Sequence, residues 1–349
     1  MKHFPLLALL VVQCAVASPA GIPPQAARTL RIGVVVDGPW ERNGTVQDLL
    51  RKEITDVLGT AVTAIFPPDA FLVGDWTLET ARELNTRLLE DPQIDMVLGM
   101  GLITSHDLAT RGPLPKPVIA PIIVDPVRQH VPLVNGTSGV KNLNYLVYPN
   151  TFVRDLETFR EILPIRRLVS ISSKPYVDVL PPPSRTLREI GADLGLEVTE
   201  MYIGFSADEV LAAFPPDVDA VFLQPSLSLP PREFEKLVEA FIERRLPSFS
   251  FFGKDDVRQG IMASANPDIL PRLTRRVALN IQRILEGEEP GSLAVAFTPG
   301  EHLTINMRTA YAVGVSPKWS TLLEAELIDV QMTRPGGLSL TFPDAVRRF

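Results

Sequence analysis
The chain has 349 residues, of which 45% are hydrophobic and 21% charged, which is the make-up of a globular protein with room for two cores rather than of a disordered chain. Its 41 acidic and 34 basic side chains give a net charge of −7, which argues against a nucleic-acid partner, because phosphate binding needs a surplus of Lys and Arg. Beyond the N-terminus no apolar run approaches the roughly 20 residues that would span a bilayer.

The first residues, MKHFPLLALLVVQCAVASPAG, place Lys2 and His3 before an apolar body and end it on Ala15-Val16-Ala17, a small-x-small cleavage pattern. Residues 1–17 therefore read as a secretory signal, and the protein is expected to be exported to the periplasm. Gln13 ahead of Cys14 is a poor fit to lipid attachment at that cysteine. Cys14 is the single cysteine, so the processed chain is expected to use neither disulfides nor thiol chemistry.

Four strand-length runs follow in the first half: LRIGVVVDG (30–38), TAVTAIFPP (60–68), IDMVLGMG (94–101) and KPVIAPIIVDP (116–126). Between them lie VQDLLRKEITDVLG and LETARELNTRLLEDP. In the first of these Leu49, Leu50, Ile54, Val57 and Leu58 share a helical face, and Gly59 stands where a C-cap belongs. The second half repeats the order with RRLVSISSKP (166–175), LEVTEMYIG (196–204), VDAVFLQPS (218–226) and LPSFSFFGKDD (246–256), interleaved with RTLREIGADLG and PREFEKLVEAFIERR. Matched strands are offset by about 125–135 residues, in the same order four times, which points to a duplicated unit. Strand–helix alternation implies parallel sheets covered on both faces. The fold class is thus α/β, with two doubly wound Rossmann-like lobes joined near residues 146–165. A long amphipathic helix follows, with Leu273, Val277, Ile281, Ile284 and Leu285 in one stripe and Gly287 after it. It either adds a packing helix to lobe two or crosses back to cover lobe one.

The order of VDPV (124–127), NGTSGV (135–140), LEGEEPGSL (285–293) and LTINMRTAYAVGV (303–315) resembles the ABC-transporter substrate-binding family with the type I periplasmic-binding fold, in its tryptophan/tyrosine-type branch. The resemblance is most specific at Ile305, Asn306, Thr309, Ala310 and Gly314, which match I-N-x-x-T-A-x-x-x-G. It implies two lobes joined by three crossovers, a small solute held between them, and a permease and ATPase supplied by other chains. Lobe one is then expected over 28–148 plus about 262–292, lobe two over 149–261 plus about 293–328, and a C-terminal tail over 329–349. Asn306 is expected to bond a hinge backbone rather than a ligand.

Doubly wound lobes also host enzymes, but the motifs for catalysis are missing. After the first strand VVVDGPWERNG puts Pro39 and Trp40 where a dinucleotide turn needs glycine, and GMG at 99–101 lacks the third glycine. No G-x-S-x-G occurs, and His106, His130 and His302 lack metal-type spacing. The expectation is a binding protein with no cofactor, acting as a monomer on an amino acid or similar carboxylate. The alternative is an exported sensor or accessory protein of another envelope complex.

Ligands of open α/β sheets sit outside the carboxyl ends of the strands, which nominates loops by position. In lobe one these are Asp37, Trp40 and Glu41, then Gly101, Thr104 and Ser105, then Asp125. In lobe two they are Ser172, Ser173 and Tyr176, then Gln224 and Ser226, then Lys254 and Asp255. Thr104 or Ser105 could cap a helix whose free N–H groups attract a carboxylate. Asp37, Glu41, Asp125 and Asp255 could meet an ammonium group, and Trp40 could stack an apolar solute beside Met100, Leu102 and Phe252.

Overall fold
A computed structural model describes residues 28–330, 332–333 and 339–340. The signal expected at 1–17, with Cys14, and most of the tail expected at 329–349 lie outside the described residues.

The first lobe is a parallel sheet of β1 (Arg28–Val36), β2 (Val62–Ile65), β3 (Phe71–Val73), β4 (Met96–Gly99), β5 (Val118–Ile123) and β6 (Leu143–Val147). Their order across the sheet is β2-β1-β4-β5-β6, with β3 pairing the outer end of β1. The helices α1 (Asn43–Leu58), α2 (Leu78–Glu90) and α3 (Leu102–Thr110) connect them. Helix α1 buries Val46, Leu50, Ile54 and Leu58 at i, i+4 spacing, and Leu49 and Val57 pack at its edge. Gly59 ends it with φ 58°, a left-handed conformation that costs glycine nothing, and its N–H donates to Thr55 O.

Lobe two begins with α4 (Phe152–Ile162), then β7 (Arg167–Ser173), α5 (Lys174–Val179), α6 (Leu187–Asp193), β8 (Glu197–Ile203), α7 (Asp208–Leu211), β9 (Ala220–Leu223), α8 (Pro231–Glu243), β10 (Ser248–Ser250), α9 (Lys254–Arg258) and β11 (Ala263–Ser264). The order β8-β7-β9-β10-β11 repeats that of lobe one, second-first-third-fourth-fifth in each case when β2 and β3, which both flank β1, count as one strand position. This is the duplication read from the four matched strands. The lobe-two core is aromatic: Phe222 stacks on Phe249 at 5.9 Å between centroids, and Phe152 meets Phe222 edge-on at 5.0 Å. Each such buried ring stabilises the lobe by roughly 1.5–3 kcal/mol.

After β11 the chain crosses back. Helix α10 (Ile269–Leu285) packs along α1 on lobe one, which settles between the two readings of the amphipathic stripe. Its Asn280 Nδ2 donates to Asn144 Oδ1 at 2.7 Å, and Arg275 pairs with Glu53 at 3.2 Å. The chain then runs along β6, with Ala294 bridging Thr137 and Ala296 bridging Val147. It passes so close at Gly291 that an added Cβ would stand 2.2 Å from Val140 O. It returns to lobe two as β12 (Thr304–Asn306), antiparallel to β11, followed by α11 (Met307–Ala312), α12 (Trp319–Glu324) and β13 (Glu326–Ile328), parallel to β12. The three crossovers are residues 148–151, 265–268 and 298–303. The second and third fall a few residues after the expected 262 and 293, because Ala263 pairs with Phe249 in the second sheet while Ala294 and Ala296 still bridge to the first.

Asn306 has a structural task, though not at a crossover. Its Oδ1 accepts from Thr309 N at 3.0 Å, capping α11, while its Nδ2 donates to Val257 O at 3.0 Å and to Asp329 at 3.1 Å.

Candidate functional site
Between the lobes lies a cavity of about 480 Å³. In each sheet the strand order reverses between the first and third strands, and that switch point is where an open α/β sheet offers a crevice. In lobe one the residues just beyond those strands are Asp37 and Gly101; in lobe two Ser172 and Ser173 end β7 and Gln224 follows β9. All five line the cavity, so two switch points face one space. Trp40, Asp125 and Tyr176 line it too.

The other nominated residues stand elsewhere. Glu41 and Ser226 border a small separate hollow of about 40 Å³ at the rim, beside Trp40 and Phe252. Lys254 is paired with Glu326 within lobe two, and Asp255 is paired with Arg42 of the opposite lobe. Thr104 and Ser105 are fully buried inside the first turn of α3, whose N-cap residue is Gly101. Thr104 Oγ1 donates to Gly101 O at 3.2 Å; Ser105 Oγ donates to Gly99 O at 2.7 Å and accepts from Ile122 N at 3.2 Å. The Ser105 hydroxyl joins α3 to β4 and β5, and the Thr104 hydroxyl closes back on the N-cap residue of its own helix.

The anion expected at the start of α3 is supplied by the protein itself. Asp37 Oδ2 accepts from Ile103 N at 3.1 Å and its Oδ1 from Thr104 N at 2.9 Å. A carboxylate from the end of β1 thus occupies the positive end of the helix. Gly101 is required for this approach, since a Cβ there would stand 2.0 Å from Asp37 Oδ1. Burial pushes the Asp37 pKa up from its ordinary value, and the N–H donors of Thr104 and Ile103 oppose that shift.

Trp76 and Arg128, which the sequence reading did not nominate, also line the cavity. Trp76 is buried and adopts φ 69°, a left-handed backbone that a bulky side chain enters only where its surroundings impose it. Here its N–H donates to Asp37 O at 2.8 Å, and its ring covers Gly38 so closely that a Cβ on Gly38 would fall 2.4 Å from it. Trp76 then meets Tyr176 of the other lobe edge-on at 6.2 Å. Burial, then the nearby Asp37, raises the Tyr176 pKa well above its ordinary value, keeping the hydroxyl protonated. Trp40 likewise meets Phe252 across the gap at 5.8 Å, with the Arg42 guanidinium over its ring at 5.4 Å.

Arg128 is half-buried on the loop that Asp125 organises: Asp125 Oδ1 accepts from Arg128 N at 3.0 Å. Its Nε donates to Pro181 O of lobe two, and no hydrogen bond among the described residues uses its two Nη atoms. The other cationic side chain of the lining, Arg185, is engaged with Asp193 at 2.5 Å. Desolvation lowers the Arg128 pKa, opposed by Asp125, yet a guanidinium stays charged at any ordinary pH. The arrangement is therefore a mainly apolar space with aromatic residues in its walls and one guanidinium whose Nη atoms are uncommitted among the described residues; Arg128–Pro181 joins the lobes at the cavity, and Arg42–Asp255 joins them beside the neighbouring hollow. Among the described residues no cluster of His, Cys, Asp and Glu is placed to hold a metal ion, and no helix is long and apolar enough to cross a membrane.

The chain matches no protein-family model and no curated protein. Solved structures match it over most of its length. One is an ABC domain from Streptococcus pneumonia in complex with L-Trp, 20% identical, with 85% of this chain and 100% of that chain covered at a TM-score of 0.68. Another is a conserved domain protein from Vibrio cholerae, also 20% identical at a TM-score of 0.68, with 86% and 99% covered. A third is the ligand-free, open form of a substrate binding protein with adhesive properties from Clostridium difficile, 14% identical at a TM-score of 0.58, with 86% and 99% covered. At these identities the likeness establishes the fold, which is the type I periplasmic-binding arrangement of two Rossmann-like lobes.

Proposed function
We propose that this chain is an exported solute-binding protein that encloses a small carboxylate, an amino acid with an apolar side chain, and presents the closed form to the permease of an ABC importer. The observation that carries the reading is the cavity itself. Its apolar walls converge from both lobes, and its free guanidinium, Arg128, is held three residues from the carboxylate of Asp125. A solute carboxylate would pair with the Arg128 Nη atoms, and its ammonium with the open Oδ2 of Asp125. Trp40 and Trp76 would flank the side chain. The L-Trp held by one protein of the same fold is a molecule of that class.

Binding of this kind works by closure. A solute that touches both lobes favours the closed form by its differential affinity for it. A micromolar Kd corresponds to about −8 kcal/mol, within reach of one charge-assisted pair and one buried ring after ordering costs. The reading is capture and release rather than turnover.

The test is thermal unfolding against a panel of L-amino acids and aryl carboxylates. A true solute at 100 times its Kd adds about 2.7 kcal/mol of stability. Arg128→Gln and Asp125→Asn should each remove most of that gain and leave the solute-free melt nearly unchanged. A panel in which no compound shifts the melt, or variants that respond like the parent, would overturn the reading.

A further inference from the structure
Asp155 lies outside the cavity, in the first turn of α4, and is 0% exposed. A carboxylate so buried needs partners for both oxygens, and it draws them from different segments of the chain. Thr151, in the first crossover, donates its hydroxyl to Oδ2 at 2.7 Å. Asn266, in the second crossover, donates Nδ2 to the same oxygen at 2.8 Å. Arg154 donates to Oδ1 through Nη2 at 2.7 Å and Nε at 3.1 Å. The same Nη2 also reaches Asn266 Oδ1 at 2.8 Å, and Nη1 reaches Glu301, in the third crossover, at 3.2 Å. A backbone bond from His302 N to Ala265 O, 2.9 Å, joins the third crossover to the second directly. One buried carboxylate and its arginine therefore tie together every segment that passes between the lobes.

Opening the lobes requires the backbone of these three segments to turn together. The bonds to Asp155 are short, directional and sealed from water, so they suit one hinge angle; at another, a buried charge would be short of donors. We propose that Asp155 is the pin of the hinge, a positioning residue that holds the three crossovers in the closed arrangement and so sets the balance between closed and open lobes. A protein competent for capture only part of the time binds with an apparent Kd raised by the inverse of that fraction, so a residue that never meets the solute governs affinity.

The experiment needs no solute, and its outcome is independent of what the cavity holds. In a Cys14→Ser background, Glu83→Cys on α2 and Glu239→Cys on α8, both exposed and one in each lobe, carry spin labels for distance measurement. Asp155→Asn, which keeps the shape and removes the charge, should move the distribution toward longer separations. Asn266→Ala should move it the same way, and Glu301→Gln less, because that glutamate is 70% exposed. Far-UV circular dichroism confirms that each variant is folded. Should Asp155→Asn not fold, Asn266→Ala and Glu301→Gln decide. Distributions from the folded variants that superimpose on the parent's would overturn the proposal. So would a shift confined to Asp155→Asn, since that would reduce its role to capping α4.

Discussion

The capping of α3 by Asp37 is open to a sharp test. Replacing Asp37 with Ala leaves Ile103 N and Thr104 N without an acceptor in a site where Asp37 itself is only 4% exposed. An unmet buried donor costs about 1–3 kcal/mol, and loss of a cap about 0.5–2 kcal/mol by itself. Two donors that can be partly rewetted through the cavity should together cost about 2–4 kcal/mol. For a chain of this size that lowers the melting temperature by about 3–6 °C. Gly101→Ala should cost a similar amount, because its methyl group would displace the same carboxylate, with the Cβ 2.0 Å from Oδ1. The two losses act on one interaction, so the double variant should be little worse than either single variant; independent effects would add. Thermal unfolding followed by circular dichroism reads all three. If Asp37→Ala melts with the parent, or the two losses simply sum, Asp37 is not the cap, and a ligand role for its carboxylate returns.

Three more outcomes are expected. Burial raises the Asp256 pKa from 3.8 to about 7, ahead of the opposing Ser250 hydroxyl, so the fold favours the protonated acid. The stability this gives is complete below about pH 4 and is lost as pH rises toward 7, at most about 4 kcal/mol at 1.36 kcal/mol per pH unit. Asp256→Asn should therefore gain on the parent at pH 8 and match it near pH 4 in urea titrations; equal gains at both pH values would refute the assignment. Arg42→Ala and Asp255→Ala, studied singly and together, should show a coupling of about 1 kcal/mol that shrinks in 1 M NaCl, since the pair bridges the lobes with both side chains about a fifth exposed. A coupling unaffected by salt would contradict an ionic latch. If an aromatic amino acid enters the cavity, tryptophan fluorescence should change on binding; Trp76→Phe should remove part of the change, and Trp40→Phe combined with Trp76→Phe should remove nearly all of it. Trp319→Phe should leave it intact, because Trp319 is 68% exposed and outside the cavity lining. Signal surviving in Trp76→Phe at full amplitude would count against Trp76 as a wall.

What the sequence determined by itself was the repeated unit. Short continuous apolar runs and helical stripes of period 3.6 are local properties, and four such runs recurring in order specify two sheets of like topology whatever the loops do. The strand ends follow from that topology, which is why Asp37, Gly101, Ser172 and Gln224 were nominated and meet in one cavity. What those side chains do there was decided only in three dimensions. Asp37 looks like any acid after a strand until α3, some 65 residues on, brings two N–H groups to it. Thr104 and Ser105 look like caps until the helix begins two residues earlier, at Leu102, and buries them. Trp76 sits in VGDWT with no periodic signal, and its place depends on the contact of its ring with Gly38 and on a left-handed backbone. Arg128 is open to a ligand because the fold engages only its Nε, with Pro181 O of the other lobe, a contact that sequence spacing does not reveal. The Asp155 network joins the first crossover to two later ones, 111 and 147 residues further along the chain. Periodicity is encoded along the chain, whereas the pairing of buried polar groups depends on which distant segments exclude water around them.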